Sequence, residues 1–212
     1  MRDFPMFTTE NGIVNLVLRE IPYRKKSYIK ILDSCEPVKL LEECRDFCRA
    51  VGAEEIYASG HNCLEVYPVY ATILEMECDR KKLIHIDAVA EPVARASAEE
   101  WKNIYNTRMK AVPNASYMDD AAIKQMLQDG SGYYIYEQQH VIGIGKVENN
   151  RLEALASVVP GKGEAVVCAL AKTVSDEMII LRVAEENTPA MRLYQRLGFV
   201  VKEQISKWYK IL

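Results

Sequence analysis

The stretch 187–199, Asn-Thr-Pro-Ala-Met-Arg-Leu-Tyr-Gln-Arg-Leu-Gly-Phe, predicts a short helix with a clear start and a clear end. Asn187, or the threonine after it, can cap the first turn, and Pro189 fits that turn because its missing N–H would have had no partner there. Gly198 allows the left-handed conformation that ends a helix. Three apolar side chains share one face: Ala190, Leu193 and Leu197. A capped amphipathic helix therefore explains every residue of this stretch except Tyr194.

The elements around this helix follow an order that is typical of a mixed α/β sandwich. Apolar runs separated by short polar turns predict an antiparallel meander of strands, which leads into a glycine-rich turn. The expected elements are helices 98–110 and 118–128, strands 132–136, 140–147 and 152–159, helix 163–173, strand 178–183, helix 189–197 and strand 199–209. An α/β fold with a mixed sheet follows from this order.

The first 83 residues form a shorter pattern of strand, strand, helix, strand, strand. The expected elements are strands 13–18 and 27–32, helix 37–51, and strands 55–58 and 66–76. The charged run Arg80-Lys81-Lys82 ends the last apolar segment. We therefore expect two domains, an accessory α/β domain at 1–83 and a main domain at 84–212.

The turn 161–165, Gly-Lys-Gly-Glu-Ala, lies between an apolar strand and the start of a helix. Glycines let the backbone turn tightly and approach a ligand, and the free amides at a helix start attract phosphate groups. A G-x-G turn taken alone is more often an ordinary loop. Its place directly after a strand favours the phosphate-binding interpretation.

Together, the helix and the turn resemble the GNAT superfamily of N-acetyltransferases over about residues 93–212. The helix residues that carry the resemblance are Asn187, Ala190, Leu193, Tyr194, Gly198 and Phe199. The resemblance implies the GNAT acyl-CoA N-acyltransferase fold, a central twisted mixed sheet flanked by helices, with a smaller α/β N-terminal part. It also implies an enzyme that moves the acetyl group of acetyl-CoA to a primary amine by direct attack, with no metal.

The resemblance further implies which residues hold acetyl-CoA. They are Ser157, Val158, Val159, Gly161, Lys162, Gly163, Glu164, Ala165, Asn187, Ala190, Leu193 and Tyr194. Backbone amides of 161–165 would hold the pyrophosphate, and the strand residues would pair with the pantetheine as an extra strand. Asn187 would contact the cofactor or the active-site water. The sequence departs from the family signature at Pro160, which replaces an Arg or Gln and offers neither a charge nor an amide donor.

Two catalytic residues are implied, each with a structural alternative. Tyr194 is similar to the tyrosine that protonates the departing CoA thiolate, or it is a packing residue of its helix. Glu153 lies near the place of a carboxylate that deprotonates the amine through ordered water, or it is a solvated strand residue. Tyr105 and Arg108 either shape the path of the acceptor or lie on the surface. Three tyrosines alternate on one strand, so one face would meet the acceptor and the other the core: Tyr133, Tyr134 and Tyr136.

The N-terminal pattern echoes the second half of the main domain, because its helix and following strand parallel the turn-helix and strand there. It lacks both the G-x-G turn and the tyrosine-bearing helix. We therefore expect a degenerate GNAT-like half without cofactor, the alternative being an unrelated α+β extension. Cys44, Cys48, His61 and Cys63 could form a metal set. Because Cys44 and Cys48 are one helical turn apart, buried core thiols explain them better.

Composition limits the remaining function classes. The chain of 212 residues carries 27 Lys and Arg against 30 Asp and Glu, a net charge of −3, which argues against a nucleic-acid partner. No apolar run reaches the roughly 20 residues of a membrane span, and the start lacks an apolar signal core, so a cytoplasmic protein without a membrane partner is expected. The expected partner is a small-molecule or peptide amine, and a homodimer is possible. The alternative function is a non-catalytic or degenerate acyl-CoA-binding or regulatory module.

Overall fold

The computed structural model describes residues 5–83 and 86–212 of the chain. They form two compact units, one made of residues up to Ile73 together with Gln204–Leu212, the other of Leu74–Glu203. The division of the sequence into 1–83 and 84–212 stays a prediction.

The helices and strands follow the order expected for 98–212. The strands are β1 (Met6–Thr9), β2 (Gly12–Val17), β3 (Lys26–Ser34), β4 (Glu55–Ser59), β5 (Val69–Asp79), β6 (Val89–Pro92), β7 (Gly132–Glu137), β8 (His140–Glu148), β9 (Arg151–Ser157), β10 (Met178–Ala184) and β11 (Val200–Lys210). The α-helices are α1 (Ile21–Arg24), α2 (Pro37–Ala50), α3 (Ala98–Met109), α4 (Asp120–Asp129), α5 (Gly163–Ala171) and α6 (Thr188–Arg196). Within 5–83 and 86–212, no helix is both long enough and apolar enough to cross a membrane.

The structure differs from the predicted elements at several places, including the short helix α1, which replaces part of an expected loop. The strand expected at 66–76 starts at Val69, because the preceding segment Asn62–Val66 is a 3₁₀ helix and Pro68 has no N–H for a ladder. The four-residue strands β1 and β6 were not expected from the sequence. Such short segments carry too few residues for an alternating pattern, so their pairing with β2 and β7 defines them.

In the first unit, α2 connects two parallel strands, β3 and β4, and packs on one face of their sheet. Its buried residues Leu40, Leu41, Cys44 and Cys48 meet apolar residues such as Ile29 and Ile56. The two strands stay paired from Lys26 opposite Glu55 to Lys30 opposite Ser59. Just beyond β4, Gly60 has a φ of +102°, and a Cβ there would collide with the Ile31 carbonyl oxygen. The strands of this unit therefore remain in close contact along their whole shared length.

In the second unit, a mixed sheet has helices on both faces. Its strand order is β5-β10-β9-β8-β7-β6, with antiparallel pairs from β6 to β9 and a parallel pair between β9 and β10. Helix α5 packs on one face, where Val166 and Leu170 are almost fully buried, and α3 and α4 contribute to a second core on the other face. This arrangement confirms the predicted α/β fold with a mixed sheet flanked by helices.

Two glycines of β8 determine how closely α5 approaches the sheet. A Cβ at Gly143 would collide with Val166, and a Cβ at Gly145 would collide with Leu170. The helix therefore lies directly on the strand, which brings its N-terminus to the end of the neighbouring strand β9.

The cysteines that suggested a metal set do not meet at one place. Cys44 and Cys48 are buried in the first unit's core, as expected for core thiols, and Cys63 is half-buried. Burial raises the pKa of Cys44 to about 11, so this thiol stays protonated at neutral pH. In the part of the chain that the structure describes, no three His, Cys, Asp or Glu side chains are grouped to bind a metal ion.

Candidate functional site

Strands β9 and β10 part from each other near their middle. They pair only at Arg151 with Ile180 and at Leu152 with Leu181, although both strands continue beyond these positions. At this point the register between β8 and β9 also shifts, and Ala154 has a φ of +53°, which marks a β-bulge. A bulge bends its strand, so the outer half of β9 leaves β10. An opening results, bordered by 153–157 on one side and 182–184 on the other.

The glycine turn and the start of α5 follow directly after the outer end of β9. Gly161 has a φ of +81°, with no atom within 4 Å of the position of a Cβ. Helix α5 has no side-chain cap. Its first intrahelical hydrogen bond runs from the Val166 N–H to the Lys162 carbonyl at 3.0 Å. The preceding amides of 163–165 therefore lack intrahelical partners, as at any helix start. They are hydrogen-bond donors for an anion at this turn.

Two cationic side chains lie beside this turn. The Lys162 ammonium forms an ion pair with Glu137 at 2.6 Å. Arg108, from α3, donates a hydrogen bond to the Val158 carbonyl at 2.9 Å. Pro160 itself carries no charge, so positive charge reaches the turn from the helix residue Arg108 and from the turn residue Lys162.

The strand residues expected to pair with pantetheine direct their backbone N–H groups to different edges of β9. The Val158 N–H donates to the Ile142 carbonyl on β8 at 2.9 Å, and is therefore already used. Because successive residues of a strand direct their N–H groups to opposite edges, Ser157 directs its N–H away from β8, toward the opening. The Ser157 hydroxyl donates to the Val159 carbonyl at 2.5 Å.

Helix α6 brings the predicted helix motif next to the glycine turn. Asn187 caps this helix, since its Oδ1 accepts from the Ala190 N–H at 3.4 Å. Leu193, one turn further, lies against the start of α5, where a Cβ at Gly163 would be 3.0 Å from the Leu193 Cδ2. The structure therefore brings together Gly163 and Leu193, which are 30 residues apart in the sequence. A Cβ at position 163 would require the Leu193 side chain to move by a few tenths of an ångström.

Tyr194 lies in the core cluster on the α5 face of the sheet. Its side chain packs against Phe199, with ring centroids 5.9 Å apart, and the residue is 8% exposed. Burial raises the pKa of Tyr194 to about 12, so the phenol is protonated at neutral pH. Within the described residues, its hydroxyl has no hydrogen-bond partner. The proton of Tyr194 is therefore not committed to another group of the described chain.

Glu153 lies at the start of the opening and is held by two cations. Arg151 donates to one carboxylate oxygen at 2.8 Å, and Lys146 donates to the other at 3.2 Å. Burial acts to raise the pKa of this carboxyl, but Lys146 and Arg151 outweigh burial and hold the pKa below its ordinary value. Such a carboxylate is ionised at neutral pH and is a weaker proton acceptor than an unpaired one.

The aromatic residues expected near the acceptor lie mostly in the core. Tyr105 stacks on Trp101, and its hydroxyl donates to the Ser116 carbonyl at 3.0 Å. Tyr134 is buried and donates to the Ser97 carbonyl at 2.8 Å. Tyr133 packs against the core on the α5 face, whereas Tyr136 packs with Tyr134 against the core on the α3 face.

A charged group that the sequence analysis did not single out lies on the α3 face of β10 and its neighbours. Arg182 donates two hydrogen bonds to the buried Glu75, and Lys202 lies near both Glu75 and Glu77. A signal was present in the sequence: Glu75 stands between the apolar residues Leu74 and Met76. Without the partner strand, nothing identified this carboxylate as paired.

Comparison with solved structures places this fold among the acetyltransferases. A functionally unknown conserved protein from Staphylococcus epidermidis superposes with a TM-score of 0.63 at 13% identity, over 98% of this chain and 93% of that chain. A GCN5-related N-acetyltransferase from Sphaerobacter thermophilus superposes with a TM-score of 0.60 at 12% identity, over 93% of this chain and 75% of that chain. An acetyltransferase of the GNAT family from Colwellia psychrerythraea superposes with a TM-score of 0.55 at 11% identity, over 97% of this chain and 84% of that chain. By sequence, the chain matches no family model and no curated protein.

The chain therefore has the fold of the GCN5-related N-acetyltransferases. The resemblance that the helix motif and glycine turn suggested is confirmed at the level of the fold. At sequence identities of 11 to 13%, these comparisons show a shared fold and nothing more specific.

Proposed function

We propose that this protein is an acetyl-CoA-dependent N-acetyltransferase that acts on a primary amine. The observation that carries the proposal is the opening between β9 and β10, which ends at a glycine turn and an uncapped helix start. In a fold shared with N-acetyltransferases, these features supply a groove for an extended ligand and donors for its phosphates.

The chain's own residues fit acetyl-CoA at this place. The amides of 163–165 would hold the pyrophosphate, and the Ser157 edge of β9 would pair with the pantetheine. Arg108 would add positive charge where Pro160 offers none. Acetyl-CoA supplies a thioester, whose carbonyl carbon accepts an amine and whose thiolate departs.

Tyr194 would then act as the proton donor to the departing thiolate. Its phenol is protonated at neutral pH, and its proton is not engaged in a hydrogen bond among the described residues. Glu153 would accept a proton from the incoming amine through water. Its two ion pairs oppose this role, because they stabilise the carboxylate form.

The first unit would bind no cofactor and would act as a structural half. Its strand–helix–strand arrangement, β3-α2-β4, matches β9-α5-β10 of the second unit in connectivity. However, β3 and β4 stay paired where β9 and β10 part, and Gly60 lies against Ile31. No opening equivalent to that of the second unit lies between these two strands.

A second candidate function, a non-catalytic acyl-CoA-binding module, rests on Pro160 and on the ion-paired state of Glu153. Two measurements separate the candidates: calorimetric titration with acetyl-CoA, and release of free thiol with a panel of primary amines. The enzyme proposal expects saturable binding and amine-dependent thiol release. Binding without thiol release for every amine would favour the binding module, and no binding would contradict both.

A further inference from the structure

The side chains Glu75, Glu77, Arg182 and Lys202 form a charged cluster, here named the β10 cluster, on the face of the sheet opposite α5. The face of these strands that packs against α5 carries Met76, Leu181 and Val183, which are buried there. Because side chains alternate along a strand, Glu75 and Arg182 point to the other face, and their hydrogen bonds agree with this. Helix α5 and the buried Tyr194 occupy the α5 face. An acceptor that reaches the opening therefore comes from the face of the β10 cluster.

Arg182 stands at the edge of the opening. Leu181, the residue before it, is the last β10 residue that pairs with β9. Arg182 is thus the first residue of β10 beyond the pairing, on the face from which the acceptor comes. No charged side chain of β10 lies closer along the strand to the point where the two strands part.

The β10 cluster presents its cations outward and its carboxylates inward. The side chains of Arg182 and Lys202 are each 44% exposed, whereas those of Glu75 and Glu77 are 9% and 31% exposed. Each cation is also near a carboxylate, so the cluster is electrically balanced. A ligand that approaches this face therefore meets the guanidinium and the ammonium first.

The geometry of Arg182 leaves one edge of its guanidinium available. Its Nε and one Nη donate to the same oxygen of Glu75, both at 3.0 Å. A guanidinium has five N–H groups, and in the described chain the remaining three of Arg182 have no partner. This outer edge is the planar fork that binds a carboxylate through two parallel hydrogen bonds. Glu75 positions that fork, because it holds the adjacent edge, formed by Nε and one Nη, in place.

We propose that Arg182 binds a carboxylate of the acceptor, so that the substrate is a primary amine that also carries a carboxylate, an amino acid or a peptide. This inference rests on the proposed function, since it names the acceptor of the same site. The amine enters as R–NH₃⁺ and passes one proton through water to Glu153, which returns it to solvent. The free amine then forms a C–N bond with the thioester carbonyl carbon, and the C–S bond breaks. The thiolate takes the Tyr194 proton, and the second amine proton restores the phenol.

The test compares acceptors that differ only in the carboxylate. Tyrosine is paired with tyramine, and a dipeptide is paired with its C-terminal amide, which separates an amino acid from a peptide. Each is assayed by thiol release with the wild type, with Arg182→Gln and with Arg182→Lys. Arg95→Gln, an exposed arginine outside the site, is the control that removes the same charge.

The wild type is expected to prefer at least one carboxylated member by KM. In Arg182→Gln, the KM of that acceptor rises by about 10- to 100-fold, the range for a lost charge-assisted hydrogen bond, while kcat and acetyl-CoA affinity change little. The partner that lacks the carboxylate keeps its KM in every variant. Arg182→Lys keeps the charge but not the fork, so its KM for the carboxylated acceptor lies between those of the wild type and Arg182→Gln.

Two outcomes contradict the inference. If the acceptors with and without the carboxylate have equal KM in both pairs, or if Arg182→Gln keeps the wild-type preference, Arg182 does not bind the acceptor, and the proposed function is unaffected. If acetyl-CoA binds and no amine releases thiol, the proposed function fails, and the inference fails with it. The two failures are distinguishable, because thiol release itself is lost only in the second.

Discussion

Replacing Tyr194 with phenylalanine should separate catalysis from stability. The substitution keeps the ring that packs against Phe199 and removes only the hydroxyl. A lost acid catalyst lowers kcat by about 10²-fold, which corresponds to about 2.7 kcal/mol of transition-state stabilisation. Because the Tyr194 hydroxyl has no hydrogen-bond partner among the described residues, its removal costs no hydrogen bond within them. The free energy of unfolding should therefore stay within about 1 kcal/mol of the wild-type value, because no hydrogen bond of the described chain is lost.

Tyr134→Phe is the matched control for this prediction. Burial raises the pKa of Tyr134 to about 12, as it does for Tyr194, but the Tyr134 hydroxyl donates to the Ser97 carbonyl at 2.8 Å. The control should therefore lose about 1 kcal/mol of stability and keep its kcat. The assay combines thiol release for kcat, calorimetry for the acetyl-CoA dissociation constant, and urea unfolding. A Tyr194→Phe enzyme with kcat within a few-fold of the wild type would show that water protonates the thiolate and that Tyr194 only packs.

Three further predictions follow from the turn, the division into units and the buried tyrosines. Gly163→Val should abolish the rise in Tm that acetyl-CoA causes, because the added side chain meets Leu193 at the start of α5; Gly130→Ala, at an open turn with a φ of +60°, should lower Tm but keep that rise. A fragment of residues 84–212 should aggregate in light scattering, since it lacks β5, whose Met76 is fully buried in the second unit's core; a monomeric, active fragment would contradict this. Stability should fall as the pH rises above about 10, since unfolded tyrosines ionise there, whereas Tyr28, whose pKa burial raises, keeps its proton when folded. Urea unfolding at pH 8 and pH 11 measures the fall, which should be smaller in Tyr28→Phe; an equal fall in that variant would show that Tyr28 does not contribute.

The parts of the site that local sequence determines were predictable. The caps of α6, the left-handed exit at Gly198 and the glycine turn each depend on a few neighbouring residues, and the structure has all of them. The three-strand meander was equally predictable, because short polar turns join antiparallel strands directly. The roles assigned to Tyr194 and Glu153 stay predictions, but the burial of one and the ion pairs of the other now limit what each can do.

By itself, the sequence determined the order of elements in the main domain, the positions of its helix ends and turns, and the residues at the glycine turn. These depend on spacing and backbone preference within a few residues. Only the tertiary structure decided where β9 leaves β10, because the positive φ of Ala154 has no signature in an alanine. It alone also decided that Glu75 lies beneath Arg182, 107 residues away. Strand neighbours that are distant in the chain are chosen by the packing of the whole sheet, and a carboxylate and a guanidinium acquire a joint function only once that packing brings them within hydrogen-bond distance.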